Sequence, residues 1–118
     1  MADQATEHEL DPARVAELKD AQLVDVRTAE EFETSHIAGA RHLSLDQLQA
    51  AAGELDQGRP VVFYCRSGDR SAMAVDAFRA SGWDAYAITG GLVAWAEEGL
   101  PLEPEGAEVA HQSGLPTP

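Results

Sequence analysis

An α/β fold, built on an open and mostly parallel sheet with helices on both faces, is predicted by three observations. Short apolar runs at 23–26, 61–64 and 85–88 have the length and side chains of strands buried on both sides. A helical pattern follows each run within a few residues, which is the alternation that a parallel sheet requires. The length, 118 residues, is that of one domain, enough to bury roughly two-thirds of its unfolded surface without a staple.

Asp11-Pro12 reads as an N-cap with proline at the first helical position, and Val15 and Leu18 mark the buried side of that helix. The run Leu23-Val24-Asp25-Val26 is the first strand. Thr28-Ala29-Glu30-Glu31 has the spacing of a capping box, so a helix is predicted over 29–34. Residues 35–40 read as a turn and Arg41-His42-Leu43 as a short strand. Ser44-Leu45-Asp46-Gln47 repeats the capping-box spacing and opens a helix with Leu45, Leu48, Ala52 and Leu55 inward. Gly58-Arg59-Pro60 breaks the chain before strand 61–64. Ala74, Val75 and Phe78 place a helix over 71–80 that ends at Ser81-Gly82. Strand 85–88 follows, then Gly90-Gly91 and a helix carrying Leu92, Trp95 and Ala96, which Pro101 is expected to stop. The predicted organisation is a lead-in over 1–9, a domain over 10–102 and a flexible tail over 103–118, where large apolar residues are few.

The net charge of −13, from 8 basic against 21 acidic side chains, repels phosphate backbones and anionic lipid, so neither nucleic acid nor membrane is an expected partner. Such an exterior also disfavours self-association, and a monomer is expected. One cysteine cannot form an internal disulfide, and Met1 to Glu7 carry neither a basic start nor an apolar run, so a cytoplasmic location is expected. The acidity has one interruption. Between residues 59 and 79, Arg59, Arg66, Arg70 and Arg79 face only Asp69 and Asp76. Arg59 and Arg79 read as solvated surface residues, whereas Arg66 and Arg70 flank the cysteine.

That cysteine, Cys65, ends the strand Val61-Val62-Phe63-Tyr64 and precedes Arg66-Ser67-Gly68-Asp69-Arg70-Ser71 and a helix. A lone cysteine is ordinarily a small buried hydrophobe. Here it stands at the carboxyl end of a parallel strand, where open sheets bind ligands. It also stands just ahead of a helix N-terminus, whose N–H groups and dipole favour an anion, including the nucleophilic thiolate.

The chain resembles the single-domain rhodaneses, the sulfurtransferase family. The resemblance runs over about residues 10–102 and rests on Leu23-Val24-Asp25-Val26-Arg27 with Glu31 and Phe32. It continues in His36-Ile37-Ala38-Gly39-Ala40, in residues 61–71 and in Gly90-Gly91-Leu92-Val93-Ala94-Trp95. It implies a five-stranded parallel sheet and a catalytic Cys65 that alternates between thiolate and persulfide. It further implies that the N–H groups of Arg66, Ser67, Gly68, Asp69 and Arg70 cradle the terminal sulfur or an oxyanion, with the two arginines orienting an anionic donor. Related phosphatases and arsenate reductases separate cysteine and arginine by five residues, usually with histidine before the cysteine. Here four residues intervene between Cys65 and Arg70, and Tyr64 precedes the cysteine, which favours sulfur transfer over phosphatase chemistry.

The resemblance therefore implies that a small sulfane donor, thiosulfate or a related persulfide, passes sulfur to cyanide or to a thiol acceptor. A sulfur carrier, or a binding module with little turnover, is the alternative. No metal or organic cofactor is implied, since His8, His42 and His111 show no ligand spacing with one another or with Cys65. Asp25 and Arg27, at a strand end near the loop, are either a structural ion pair or supports of the pocket. Glu31 most simply completes its capping box, and the resemblance gives His36 a turn-packing role. Asp69, a carboxylate inside an anion-binding loop, either caps the following helix or points inward and disfavours thiosulfate.

Overall fold

The structure is a computed structural model that describes residues 8–67 and 69–103. The assigned lead-in through residue 7, Gly68, the side chain of Asp69 and the tail from 104 onward lie outside the described residues. In chain order the elements are β1 (Glu9–Leu10), α1 (Pro12–Glu17), β2 (Gln22–Asp25), α2 (Ala29–Thr34), β3 (His36–Ile37) and β4 (Arg41–His42). There follow α3 (Leu48–Ala51), β5 (Val61–Tyr64), α4 (Asp69–Ala80), β6 (Ala85–Ile88), α5 (Gly91–Glu97) and β7 (Leu102–Glu103).

Five strands form one sheet in the order β1-β6-β5-β2-β4, and every neighbouring pair is parallel. Side chains along β5 alternate between its faces, as the pleat demands. Val61, Phe63 and then Cys65 join a core with Leu48, Ala74, Val75 and Phe78 of α3 and α4. Val62 and Tyr64 point the other way and pack with Val15 of α1 and Leu92 and Trp95 of α5. Helices therefore cover both faces, as the strand–helix alternation predicts.

Local signals set several boundaries directly. The Thr28 box is closed in both directions, with Glu31 N donating to Thr28 Oγ1 and Thr28 N donating to Glu31 Oε1, and α2 covers the predicted 29–34. Strands β5 and β6 match 61–64 and 85–88. Asp11 sits at the α1 N-cap without a side-chain hydrogen bond to that helix.

Other expectations need correction. The turn over 35–40 contains β3, which pairs antiparallel with β7 in a second, two-stranded sheet. Strands β1 and β7 draw Glu9 and Glu103 into sheets, one residue beyond the expected domain limits at either end. The helix after Ser44 is interrupted: 3-10 turns at Leu45–Gln47 and Ala52–Glu54 bracket the single α-turn of α3. Tighter i to i+3 turns at both ends still bury Leu48 and Leu55, with Leu45 and Ala52 packed alongside. Helix α4 begins at Asp69 rather than Ser71. Finally, α5 ends at Glu97, ahead of a left-handed Gly99 (φ 73°), before the chain reaches Pro101. Pro101 instead uses its carbonyl to accept from Trp95 Nε1 (2.9 Å) and Ala38 N (3.3 Å), fastening the second sheet to α5.

Candidate active site

The chain leaves β2 toward β4 and leaves β5 toward β6, in opposite directions across the sheet. Such a divergence opens a crevice beyond the carboxyl ends of the two strands. Cys65 lies there, immediately after the central strand β5 and ahead of the twelve-residue helix α4. The residue is 1% exposed. Its Sγ lies 3.6 Å from Ser71 Oγ, and Ser71 is itself fully buried in the first turn of α4. A hydroxyl at that distance donates to the sulfur when the sulfur carries negative charge.

The loop is fastened from its other side by α5. Leu92 N donates to the Cys65 carbonyl at 2.9 Å and Val93 N to the Arg66 carbonyl at 3.1 Å. Two of the unpaired donors that open α5 thus hold the main chain of the cysteine loop. The approach requires Gly91. Its φ is +62°, and a Cβ there would stand 2.6 Å from both the Cys65 and Arg66 carbonyl oxygens. Gly91 is therefore a lock on the cysteine loop as well as a helix start.

Of the loop residues singled out in the sequence, Arg66 is half-buried, Ser67 exposed, and Asp69 contributes the first backbone position of α4. Arg70 is taken up by Glu31: Nη1 donates to Oε1 at 2.9 Å and Nη2 to Oε2 at 3.3 Å. Partial burial pushes the Glu31 carboxyl up. The hydrogen bonds and charge of Arg70, together with the Thr28 N–H and hydroxyl, outweigh that and bring it down to about 2. Arg70 holds its proton more firmly in turn, chiefly through the hydrogen bonds it donates to Glu31, with a smaller contribution from the charge of Cys65. Glu31 therefore does more than complete a capping box, since it ties the start of α2 to the start of α4. The sequence held a signal for the box but none for the partner 39 residues away.

Asp25 and Arg27 form a structural ion pair. Arg27 is 1% exposed and Asp25 is fully buried. Arg27 donates from Nε to both carboxylate oxygens (2.9 and 3.0 Å) and from Nη2 to Oδ2 (2.6 Å). Nη2 also donates to the Ser35 carbonyl (2.6 Å). Neighbouring Tyr64 donates no proton readily, because burial, followed by the charge of Asp25, pushes its phenol up. Its oxygen accepts from Ile37 N at 3.0 Å. His36 stacks on Phe32 (centroids 3.7 Å apart) and bonds the Phe32 carbonyl and Glu103, which gives it the packing role expected for it.

A cavity of about 300 Å3 opens between the segment after β2, the turn after β4 and the first turn of α4. Arg27 and Arg70 both contribute to its wall, so Arg27 also supports a pocket, whereas Asp25 lies behind it.

Residues 11–98 match the rhodanese-like domain family, and the chain belongs to that family. Among curated proteins it is 38% identical over 95 residues to a sulfurtransferase of Allochromatium vinosum, covering 79% of this chain and 89% of that one. It is 41% identical over 76 residues to the uncharacterized protein YqhL of Bacillus subtilis, covering 64% of this chain and 60% of that protein's length. In structure it resembles a rhodanese-related protein from Thermoplasma volcanium, with a TM-score of 0.78, 27% identity and coverage of 83% and 99% of the two chains. Its relatives thus include a protein named a sulfurtransferase. No helix among the described residues is long and apolar enough to cross a membrane.

Proposed function

We propose that the protein is a sulfurtransferase that carries sulfur as a persulfide on Cys65. The observation that carries this reading is the position of the sulfur: at the end of the central strand, before the N-terminus of α4 and 3.6 Å from Ser71 Oγ. In the first half-reaction the Cys65 thiolate attacks the outer sulfur of thiosulfate or a related persulfide donor. The donor S–S bond breaks, sulfite (or a thiolate) leaves with the electron pair, and Cys65 retains a terminal S⁻. In the second, cyanide or a thiol takes that outer sulfur, and the electron pair of the broken bond returns to Sγ. The loop main chain and the dipole of α4 stabilise the anion in both states. Arg66 serves the incoming donor, while Arg70 serves it only to the extent that Glu31 releases the guanidinium. The half-reactions need a free thiolate, which suits a reducing compartment such as the cytoplasm.

A second reading is favoured by the near-complete burial of Cys65 and the capture of Arg70. In it the domain relays sulfur between partners and turns over thiosulfate slowly by itself. Thiosulfate:cyanide turnover of wild type and Cys65→Ser, with intact mass after incubation with thiosulfate, tests both. The expected result is loss of turnover in the variant and a gain of ~32 Da, one sulfur atom, on wild-type protein only. A persulfide without steady-state turnover would select the relay. Equal rates in the two proteins, or no adduct, would remove both.

A further inference from the structure

The cavity beside the cysteine loop has a chemistry of its own. Its floor is apolar: Val26 is fully buried in the same core cluster as Cys65, and Leu45 packs against that cluster. Three charged side chains line the cavity: Arg27, Arg70 and Asp46. The positive charge of Arg27 is already matched by Asp25 and that of Arg70 by the two oxygens of Glu31. Asp46 has no such match. Its Oδ1 accepts from Ser44 Oγ at 2.7 Å, and among the described residues no arginine or lysine forms an ion pair with it. The mouth therefore leaves one carboxylate unneutralised over an apolar floor, an environment that attracts a cation attached to a short carbon chain.

We propose that this cavity binds an aminothiol as the sulfur acceptor, with its carbon chain on Val26 and Leu45 and its ammonium group on Asp46. The proposal rests on the reading of Cys65 as a persulfide carrier given above. Val26 of the cavity floor shares its core cluster with Cys65, and Arg70 of the wall precedes Ser71, whose Oγ lies 3.6 Å from the Cys65 sulfur. A thiol seated in the cavity therefore lies next to the loop that holds the sulfur. There the acceptor thiolate attacks the outer sulfur of the Cys65 persulfide. A new S–S bond forms on the acceptor, the bond to Sγ breaks, and its electron pair restores the Cys65 thiolate. Atoms and charge balance with no oxidant or reductant. Asp46 is a specificity residue, remote from the reacting atoms and decisive for which thiol is held.

Two measurements test this on the full chain. Amide shifts are followed while wild type and Asp46→Asn are titrated with 2-(methylthio)ethylamine or 3-(methylthio)propionate, unreactive thioethers that differ in the sign of their charge. The expected result is shifts centred on Val26, Thr28, Leu45 and Asp46, with the amine binding about threefold to fivefold more tightly than the acid in wild type and equally in the variant, the range of an exposed ion pair. Cys65 is then loaded with thiosulfate and discharged by cysteamine or 3-mercaptopropionate at equal thiolate concentrations. The same preference is expected in the discharge rate, and the same loss in Asp46→Asn. Absence of amide shifts at those positions, or a preference that survives the substitution, overturns the proposal. If thiosulfate never loads Cys65, the sulfurtransferase reading fails while the thioether titration still decides the cavity. If Cys65 loads and discharges without regard to charge, the cavity proposal alone falls.

Discussion

Two arginine–carboxylate pairs flank the cysteine loop, and they share bidentate geometry while differing in their exposure to water. Asp25–Arg27 is sealed, with side chains 0% and 1% exposed, and its arginine also binds the Ser35 carbonyl. Glu31–Arg70 stands at the crevice, with side chains 26% and 35% exposed. A sealed pair cannot exchange partners without leaving a bare charge in a medium of low dielectric, so it fixes the segment after β2 in one place. A pair in contact with water separates at small cost, so its arginine can be shared with a substrate. The same chemical motif thus gives a scaffold in one place and an adjustable electrostatic element in the other.

The sharpest way to break that comparison is to remove one partner from each pair. Arg27→Ala should cost about 3–5 kcal/mol of folding stability, because Asp25 is left buried and unpaired. Urea unfolding measures it, and a loss no larger than that of a surface variant would erase the distinction. Arg70→Gln should change stability by less than about 1 kcal/mol, yet lower the sulfur-transfer kcat/KM roughly tenfold, as loss of a charge-assisted contact to an anion does. Glu31→Gln works in the opposite direction. Freeing the guanidinium should lower the KM for thiosulfate by about threefold, again the scale of an exposed ion pair, and an unchanged or raised KM would show that Arg70 does not meet the donor.

The smallest effect concerns acid. Glu31 titrates near 2 in the folded chain against 4.5 ordinarily, a depressed carboxylate. Its stabilising contribution is therefore complete above the higher value and disappears as pH falls toward the lower one. The stability gap between wild type and Arg70→Gln should accordingly stay constant above about pH 5 and close on the way down to about pH 2, with solvent screening keeping it below ~1 kcal/mol throughout. A gap that persists at the acid end would mean that the two side chains interact by something other than charge.

How much of this was legible in the sequence follows from the range of each interaction. The Thr28 box, strand 61–64, strand 85–88 and the position of Cys65 between a strand and a helix are local patterns. Propensity, capping and periodicity act there over a few residues, and the predicted limits agree with the structure. Strands β1, β3, β4 and β7 contain two residues each, too few for alternation to register. Of these, β4 alone was anticipated; the others exist because partners such as β6 offer a ladder. The break in the helix after Ser44 carries no local signal, because Leu48 and Leu55 are seven residues apart and are buried in the structure as an unbroken helix would also bury them.

At the site, the candidate nucleophile and the presence of two nearby arginines were readable from the order of residues. Their allegiances were not. Arg70 could be assigned to a substrate or to any of 21 carboxylates, and only the meeting of α2 with α4 gives it to Glu31. Likewise Asp25 and Arg27 lie two residues apart in the chain, but that the pair is structural depends on burial that the strand order creates. Ser71 entered the sequence reading as a helix residue and Gly91 as a helix start. Their contacts with the Cys65 sulfur and the Cys65 carbonyl required the fold.

By itself, then, the sequence determined the fold class, most of the regular elements and the position of the candidate nucleophile, because backbone geometry and hydrophobic periodicity act over short stretches of chain. Only the tertiary structure decided which charges neutralise one another, which are sealed from water and which face the cavity. Coulomb energy and desolvation depend on distance and surroundings in space, and neither is written in the spacing of residues along the chain.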